Sequence, residues 1–324
     1  MKALRIEKHG GPEVMQIVDV PVPEPGPGEA RIRVEACGLN YSDIMIREGQ
    51  YIDATPLPTF LGREFCGTID KTGPGVSGWE KGQRVVGGAM GGAMAEYLVT
   101  APDGLIPCPE GLSPEEGAAI LVAGVTAIHC LDDCGRLQAG ETVLVHAAAG
   151  GVGTLAVQIA RARGARVIGT ASSAEKCRAV ADLGATAIDY TKGDWVKEVL
   201  AATGGRGADL ILESVGGEIY LRSFREALAR FGRMVVFGVA SREVVPIDNR
   251  EILSSNRTLT GYYLGDYFPA HLDRIVMATM KLVGLMQEGK VRPIVGKVFP
   301  LAQAADAFSH MQQRRNIGKV ILTP

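Results

Sequence analysis

The chain has 324 residues, 46% hydrophobic and 22% charged, with a formal net charge of −2. That length implies about two domains with sizeable buried cores, and the charge balance gives no basic footprint for nucleic acid. No unbroken apolar run reaches the ~18 residues of a membrane span, and MKALRIEKHGGPEV breaks into charge and glycine before a signal-peptide core forms, so a cytoplasmic protein is expected, with no membrane or nucleic-acid partner.

The first hundred residues read as short strands. MKALRI, MQIVDVPVP, EARIRVEACGL, FCGTIDKTG, QRVVGGA and AEYLVTA are apolar or alternating runs bounded by PEPGPGE and GPGVSGWEKG, the pattern of a mainly β domain. From Ser113 the character changes. Ser113, Pro114 and Glu116 form a capping-box start before a helical apolar pattern. Strands then alternate with helices. TVLVHA, RVIGTA, TAIDY, ADLILESV and RMVVFGVA read as strands; GTLAVQIARARGA, SAEKCRAVADLGA, DWVKEVLAATGG and YLRSFREALARFG read as helices. Such alternation predicts an α/β fold, a doubly wound parallel sheet. The tail holds a long helix LDRIVMATMKLVGLMQEGK, then VRPIVGKVFPL, a short helix AQAADAFSHMQQ and a last strand GKVILTP. Its strand-like, Pro-bounded ends suit the first domain. A discontinuous domain of residues 1–120 and 268–324, interrupted by a nucleotide domain of residues 121–267, is therefore expected.

HAAAGGVG, residues 146–153, follows the strand TVLVHA and opens a helix. Set on the pattern G-x-G-x-x-G, its positions are Ala148, Gly150 and Gly153, with Gly151 and Val152 between the last two. Gly150 lets backbone approach a pyrophosphate, Gly153 lets the helix pack on its strand, and the helix N-terminus supplies N–H groups. About twenty residues on, an NAD site places an acid on the ribose 2′-hydroxyl. Here Ala171 and Ser172 stand there, and Glu175 comes too late. Ser172, Ser173 and Lys176 offer hydroxyls and an ammonium, which suit a 2′-phosphate and favour NADPH; the serines can also cap the next helix.

The six cysteines form no CxxC pair, and Cys130 and Cys134, four apart, read as packing. None of the eight tyrosines has a lysine four residues on, which argues against a short-chain dehydrogenase.

GLNYSD, LGREFCGTI, GWEKGQRV, AGVTA, HAAAGGVG, KCRAVADLGATAIDY and GKVILTP occur in order along the whole chain. In this the chain resembles the medium-chain dehydrogenase/reductase superfamily, specifically its zinc-independent NADPH:quinone oxidoreductase (zeta-crystallin-like) branch. The resemblance implies a GroES-like substrate domain, a Rossmann domain and a homodimer. Zinc alcohol dehydrogenases of the superfamily carry ligand Cys and His where this chain has Asn40 and Arg63, and their four-cysteine lobe is replaced by GAMGGAM. Without zinc, the implied step is direct hydride transfer to a quinone or to the activated C=C of an α,β-unsaturated carbonyl.

The resemblance also assigns residues. It places Asn40, Asp43 and Tyr51 near the nicotinamide, with Tyr51 either a proton donor or a wall, Asn40 a positioning amide, and Asp43 a structural acceptor rather than a base. Thr126 matches a nicotinamide-contacting threonine, and Gly238 a close approach beside the nicotinamide ribose. Tyr190 and Arg314, with Arg315 a one-residue alternative, fall at the adenosine 2′-phosphate. Two rival functions remain: an enoyl thioester reductase, for which Arg47 and Arg63 would form a basic entrance, and an NADPH-binding structural or adaptor protein with little turnover.

Overall fold

In the N-terminal hundred residues and again at the C-terminus, alternating apolar residues pair into antiparallel strands. The computed structural model describes residues 1–324, apart from the side chains of Phe268 and Pro269. It resolves into one unit of Met1–Val122 with Pro293–Pro324 and a second of Ala123–Arg292.

In the first unit the long strand Ala30–Leu39 is central. Glu64–Thr72 pairs with it antiparallel on one side and the last strand, Lys319–Thr323, on the other. Their inward residues, among them Ile32, Val34, Phe65, Ile69, Val320 and Leu322, build one apolar cluster. A short helix, Tyr41–Glu48, follows the central strand directly and ends at Gly49 in the left-handed region (φ 70°). Its start carries an Asn-x-x-Asp spacing, the sequence signal of an N-terminal cap.

The second unit is a six-stranded parallel sheet flanked by helices. Counted in chain order the strands run 3-2-1-4-5-6: Thr186–Asp189, Arg166–Ala171, Thr142–Val145, Ala208–Glu213, Leu228–Val236 and Thr258–Gly261. This is the doubly wound order that binds dinucleotides. Leu144, Ile168, Ile188 and Ile211 from the sheet pack on Trp195, Val199 and Phe224.

Two expectations are corrected. The chain returns to the first unit at Pro293, not at residue 268. The helix Leu272–Gln287 stays with the second unit because it buries Ile275, Ala278, Leu282 and Leu285; Leu282 lies so close to Gly124 that a Cβ there would sit 2.2 Å from Leu282 Cδ2. Helical pattern also carried the reading YLRSFREALARFG too far: the helix ends in a π-type turn at Ser223–Ala227 and Leu228 already pairs with Ala208. Strand pairing overrides helix propensity there, at the cost of a left-handed Phe231 (φ 62°).

One helical run, Pro114–Cys134, is apolar and long enough to cross a membrane by length and composition, and 78% of that window is buried inside the protein.

Candidate active site

The phosphate turn is built as its strand–turn–helix order requires. Its helix spans Gly151–Ala162, with extended Gly150 as the residue before it. As the first residues of a helix, Gly151, Val152 and Gly153 have N–H groups without intrahelical acceptors, and the helix dipole adds partial positive charge. A Cβ on Gly153 would meet the Ala147 carbonyl oxygen at 2.4 Å and the Ala148 Cα at 2.7 Å, so only glycine fits the strand–helix contact. Ala148 is fully buried. Its methyl occupies the space left by Gly169 on the neighbouring strand, where a Cβ would approach it to 2.7 Å, and its N–H bonds the Thr170 carbonyl at 3.0 Å. The left-handed residue of the turn is Ala147 (φ 49°), one position before the place the motif suggests; a non-glycine residue in that region stores strain of ~1–3 kcal/mol. Beneath the turn, His146 is held between Thr170 Oγ1 (2.9 Å) and Ser223 Oγ (2.8 Å). Burial pushes its pKa down to about 3, so the ring is a neutral anchor.

At the end of the second strand, Ser173 caps the helix Ala174–Asp182 by accepting from the Lys176 N–H. Its oxygen is therefore engaged, while its hydroxyl proton remains a donor. The Tyr190 N–H bonds the Ala171 carbonyl at 3.1 Å. This ties the ends of strands two and three together and gathers Ser172, Ser173, Lys176 and Tyr190, all half-buried, at one carboxyl edge. Glu175 lies inside the helix and is exposed. Along the same edge Gly238 passes close to Ser214, whose carbonyl oxygen is 3.1 Å from where a Cβ would be. Thr126 is buried on the helix Leu121–Ile128.

In the first unit, three neighbouring strands assemble a buried polar cluster. The register Val320↔Leu39 puts Lys319 opposite Asn40, and Cys37↔Phe65 brings Glu64 beside Gly38. Lys319 is 4% exposed and Glu64 fully buried. The Lys319 ammonium lies 2.5 Å from Glu64 Oε1 and donates to Asn40 Oδ1 at 2.6 Å. Asn40 Nδ2 donates to Glu64 Oε1 at 2.9 Å and, at longer range, to the Gly38 carbonyl (3.4 Å). Glu64 Oε2 accepts the Val122 N–H at 2.9 Å. The amide of Asn40 is thus locked, with its donors turned inward and only an oxygen lone pair left over.

Asp43 is fully buried and accepts from the Asn40 N–H at 2.8 Å; its Oδ1 has no partner among the described residues. Burial, against the pull of the Asn40 N–H and of Arg63 and Lys319, pushes its carboxyl up to about 6. An unfolded carboxyl titrates near ~3.9. The Asp43 contribution to stability is therefore full below about pH 4 and is lost as pH rises through about 6. Asp43→Asn is expected to remove this slope from the difference in urea midpoints between pH 4 and pH 7; an unchanged slope sinks the assignment.

Tyr51 packs against the apolar cluster of the same unit. Arg63 Nη1 donates to its hydroxyl oxygen at 3.3 Å, and the guanidinium lies 4.6 Å from the ring centroid. Arg47 is unavailable for any basic entrance. It is completely buried, pairs with Glu48 at 2.5 Å and donates to the Gly10 carbonyl. Arg314 and Arg315 are exposed just after the helix Ala304–Gln312, in the first unit. No group of three or more His, Cys, Asp or Glu with metal-site geometry occurs among the described residues.

Glu64 and Lys319 were quoted within motifs, yet their roles were not legible. The strand Lys319–Thr323 lies 279 residues after Asn40 in sequence, and only the sheet register brings the two together.

Comparison with known proteins agrees with this construction. Residues 26–110 match the alcohol dehydrogenase GroES-like domain and residues 151–280 the zinc-binding dehydrogenase family. A quinone oxidoreductase of Pseudomonas aeruginosa is 38% identical over 328 aligned positions, covering 100% of this chain and 99% of that protein. The quinone oxidoreductase of Escherichia coli, solved in complex with NADPH, superposes with a TM-score of 0.93 at 32% identity over 100% of both chains. The CurK enoyl reductase superposes at 0.90 with 28% identity, over 99% of this chain and 98% of that one. A 3-2-1-4-5-6 sheet with its phosphate turn, in one chain with a GroES-like unit, defines a medium-chain dehydrogenase/reductase. The chain belongs to that superfamily, in its quinone oxidoreductase branch.

Proposed function

We propose that the protein reduces a quinone, or the activated C=C of an α,β-unsaturated carbonyl compound, with NADPH and without a metal. When bound, the dihydronicotinamide supplies the hydride. Support for the phosphate-bearing cofactor comes from the Ser172, Ser173, Lys176 and Tyr190 cluster, which has hydroxyls and an ammonium where an acid would select NADH. Support for metal-free chemistry is the donor set. An amide and an ammonium, Asn40 and Lys319, surround Glu64, and the residue before it is Arg63; neither cation is a zinc ligand.

The observation that carries the reaction is the Tyr51–Arg63 contact. Because the phenol accepts from Arg63, its own O–H remains a donor. The guanidinium faces the charge that develops on that oxygen as the proton leaves. A proton delivered to the carbonyl oxygen or the α-carbon is what completes the reduction once hydride has reached the substrate. Asn40, held by Lys319 and Glu64, offers one fixed acceptor and no loose donor. The same reading includes a homodimer working in the cytoplasm.

An NADPH-oxidation screen over quinones, enones, enals and enoyl-CoA thioesters, with NADH in parallel, tests this. NADPH is expected to be preferred, with turnover on quinones or enones; equal use of NADH removes the Ser172/Lys176 argument. Strong activity confined to enoyl-CoA moves the protein to the enoyl thioester reductases, and tight NADPH binding with no oxidation identifies a binding protein. In this screen Tyr51→Phe is expected to lower kcat on an enone by about 100-fold at similar KM. An unchanged rate makes Tyr51 a wall.

A further inference from the structure

Two of the six cysteines meet in the first unit although 42 residues separate them. Both are unlinked thiols, and their sulfurs lie 3.9 Å apart, in van der Waals contact. Cys66 is fully buried on the strand Glu64–Thr72. Cys108 is half-buried and follows the two-residue edge strand Ile106–Pro107. The short helix Pro114–Gly117 covers the pair: a Cβ on Gly117 would lie 2.8 Å from Cys66 Sγ and 3.2 Å from Cys108 Sγ. Any larger residue there would press on both sulfurs.

The surroundings give the two thiols different chemistry. Cys66 donates its S–H toward Cys108 Sγ, and Cys108 as a thiol turns its own toward the Pro109 carbonyl oxygen (3.8 Å). The Cys66 S–H, against partial burial, and then the Arg84 guanidinium hold the Cys108 thiol below its ordinary pKa. Glu35 and Glu116 oppose this, and Arg84 engages Glu35 at 3.0 Å. Contact with Cys108 and burial push the Cys66 thiol up. The thiolate is the nucleophile, so Cys108 reacts first and Cys66 keeps its proton. Cys108 is also free to shift. Its N–H bonds the Arg84 carbonyl at 3.0 Å, and its neighbours Pro107 and Pro109 have no N–H to add.

We propose that Cys108 and Cys66 are a redox pair, Cys108 the thiol that a small hydroperoxide oxidises and Cys66 the one that closes the disulfide, which clamps residues 108–122 onto the strand Glu64–Thr72. The Cys108 thiolate attacks the O–O bond: an S–O bond forms, the O–O bond breaks, and the departing alkoxide or hydroxide takes up a proton. This leaves a sulfenic acid on Cys108. The Cys66 sulfur then attacks the Cys108 sulfur; the S–S bond forms, the S–O bond breaks, and the hydroxyl leaves as water with the Cys66 proton. The two thiols lose two electrons in all, and the hydroperoxide is reduced to an alcohol and water, or to two waters from hydrogen peroxide. The sulfurs close by about 1.9 Å to reach disulfide length. At its far end the segment is already held, since the Val122 N–H bonds Glu64 Oε2 at 2.9 Å. The new bond fixes its near end, and a reductant frees it.

Brief exposure of the full-length reduced protein to hydrogen peroxide, followed by alkylation under denaturing conditions and a non-reducing peptide map, tests this. The expected product is one linked pair of peptides, Cys66 with Cys108, while Cys37, Cys130, Cys134 and Cys177 are still alkylated. Cys108 is expected to be lost about tenfold faster than Cys134 and Cys177, whose thiols burial raises. Hydrogen exchange over residues 108–122 should slow about tenfold in the oxidised protein and recover with dithiothreitol. In Cys66→Ala, oxidation stops at a sulfenic acid on Cys108, which dimedone captures. Should that variant fail to fold, dimedone present during oxidation of the wild type captures the same species. Cys108 reacting no faster than Cys177, dimedone on Cys66 in place of Cys108, a disulfide joining two chains, or exchange unchanged by the crosslink each overturns the proposal.

Discussion

Replacing Lys319 by Met is expected to cost about 3–5 kcal/mol of stability, because it leaves the Glu64 carboxylate buried without its counter-charge. The pair is 4% and 0% exposed, so water cannot compensate. The double variant Lys319→Met/Glu64→Gln removes both charges and is expected to recover most of the loss, since two neutral groups of similar size carry little desolvation cost. Urea midpoints of the four proteins in the double-mutant cycle give the coupling. Activity should separate from stability. In the double variant Asn40 Oδ1 loses its ammonium partner, the amide can rotate, and kcat should stay low although the fold is restored. Additive effects of the two substitutions would show that the pair is not coupled, and full activity in the double variant would remove the locked amide from the mechanism.

Gly153→Ala should be the most damaging single methyl in the second unit. Its Cβ would lie 2.4 Å from the Ala147 carbonyl oxygen and 2.7 Å from the Ala148 Cα. Both obstacles are backbone, so the turn or the helix must move. Ala147 is already left-handed and leaves the turn little freedom to relax. Misplacing a binding element by about an ångström costs roughly 100-fold, so NADPH affinity is expected to fall by about that factor, and overpacking should add ~1–3 kcal/mol of destabilisation. Fluorescence titration of NADPH with a parallel unfolding curve reads both. Binding within a factor of about two of wild type would mean that the phosphate sits elsewhere.

How far the chain could be read before folding depends on where the contacts fall in sequence. Ser173 as a cap and Ser113 with Glu116 as a capping box are local, within three residues, and the structure realises both. The helix Tyr41–Glu48 was signalled by Asn40 and Asp43 and passed over, because the surrounding pattern is all strand. The helix Leu272–Gln287 was legible as a helix but not as a member of the second unit. Amphipathic spacing says that Ile275, Ala278 and Leu282 face a core, not which one. In the phosphate turn the motif located the glycine that needs close packing, Gly153, but not the strained residue, Ala147. That assignment depends on how Ala148 fits against Gly169 on the next strand.

The sequence by itself determined the alternation of strand and helix, the dinucleotide turn and the absence of an acid at the end of the second strand. All of these are set by residues within about twenty positions of one another. Only the tertiary structure decided the rest. Strand register brought Lys319 and Glu64 onto Asn40, the Arg63 guanidinium came to lie over Tyr51, and Tyr262 met His129. Those contacts join residues up to 279 apart, and they form because burial in a low-dielectric interior obliges each polar group to find a partner wherever the chain can supply one.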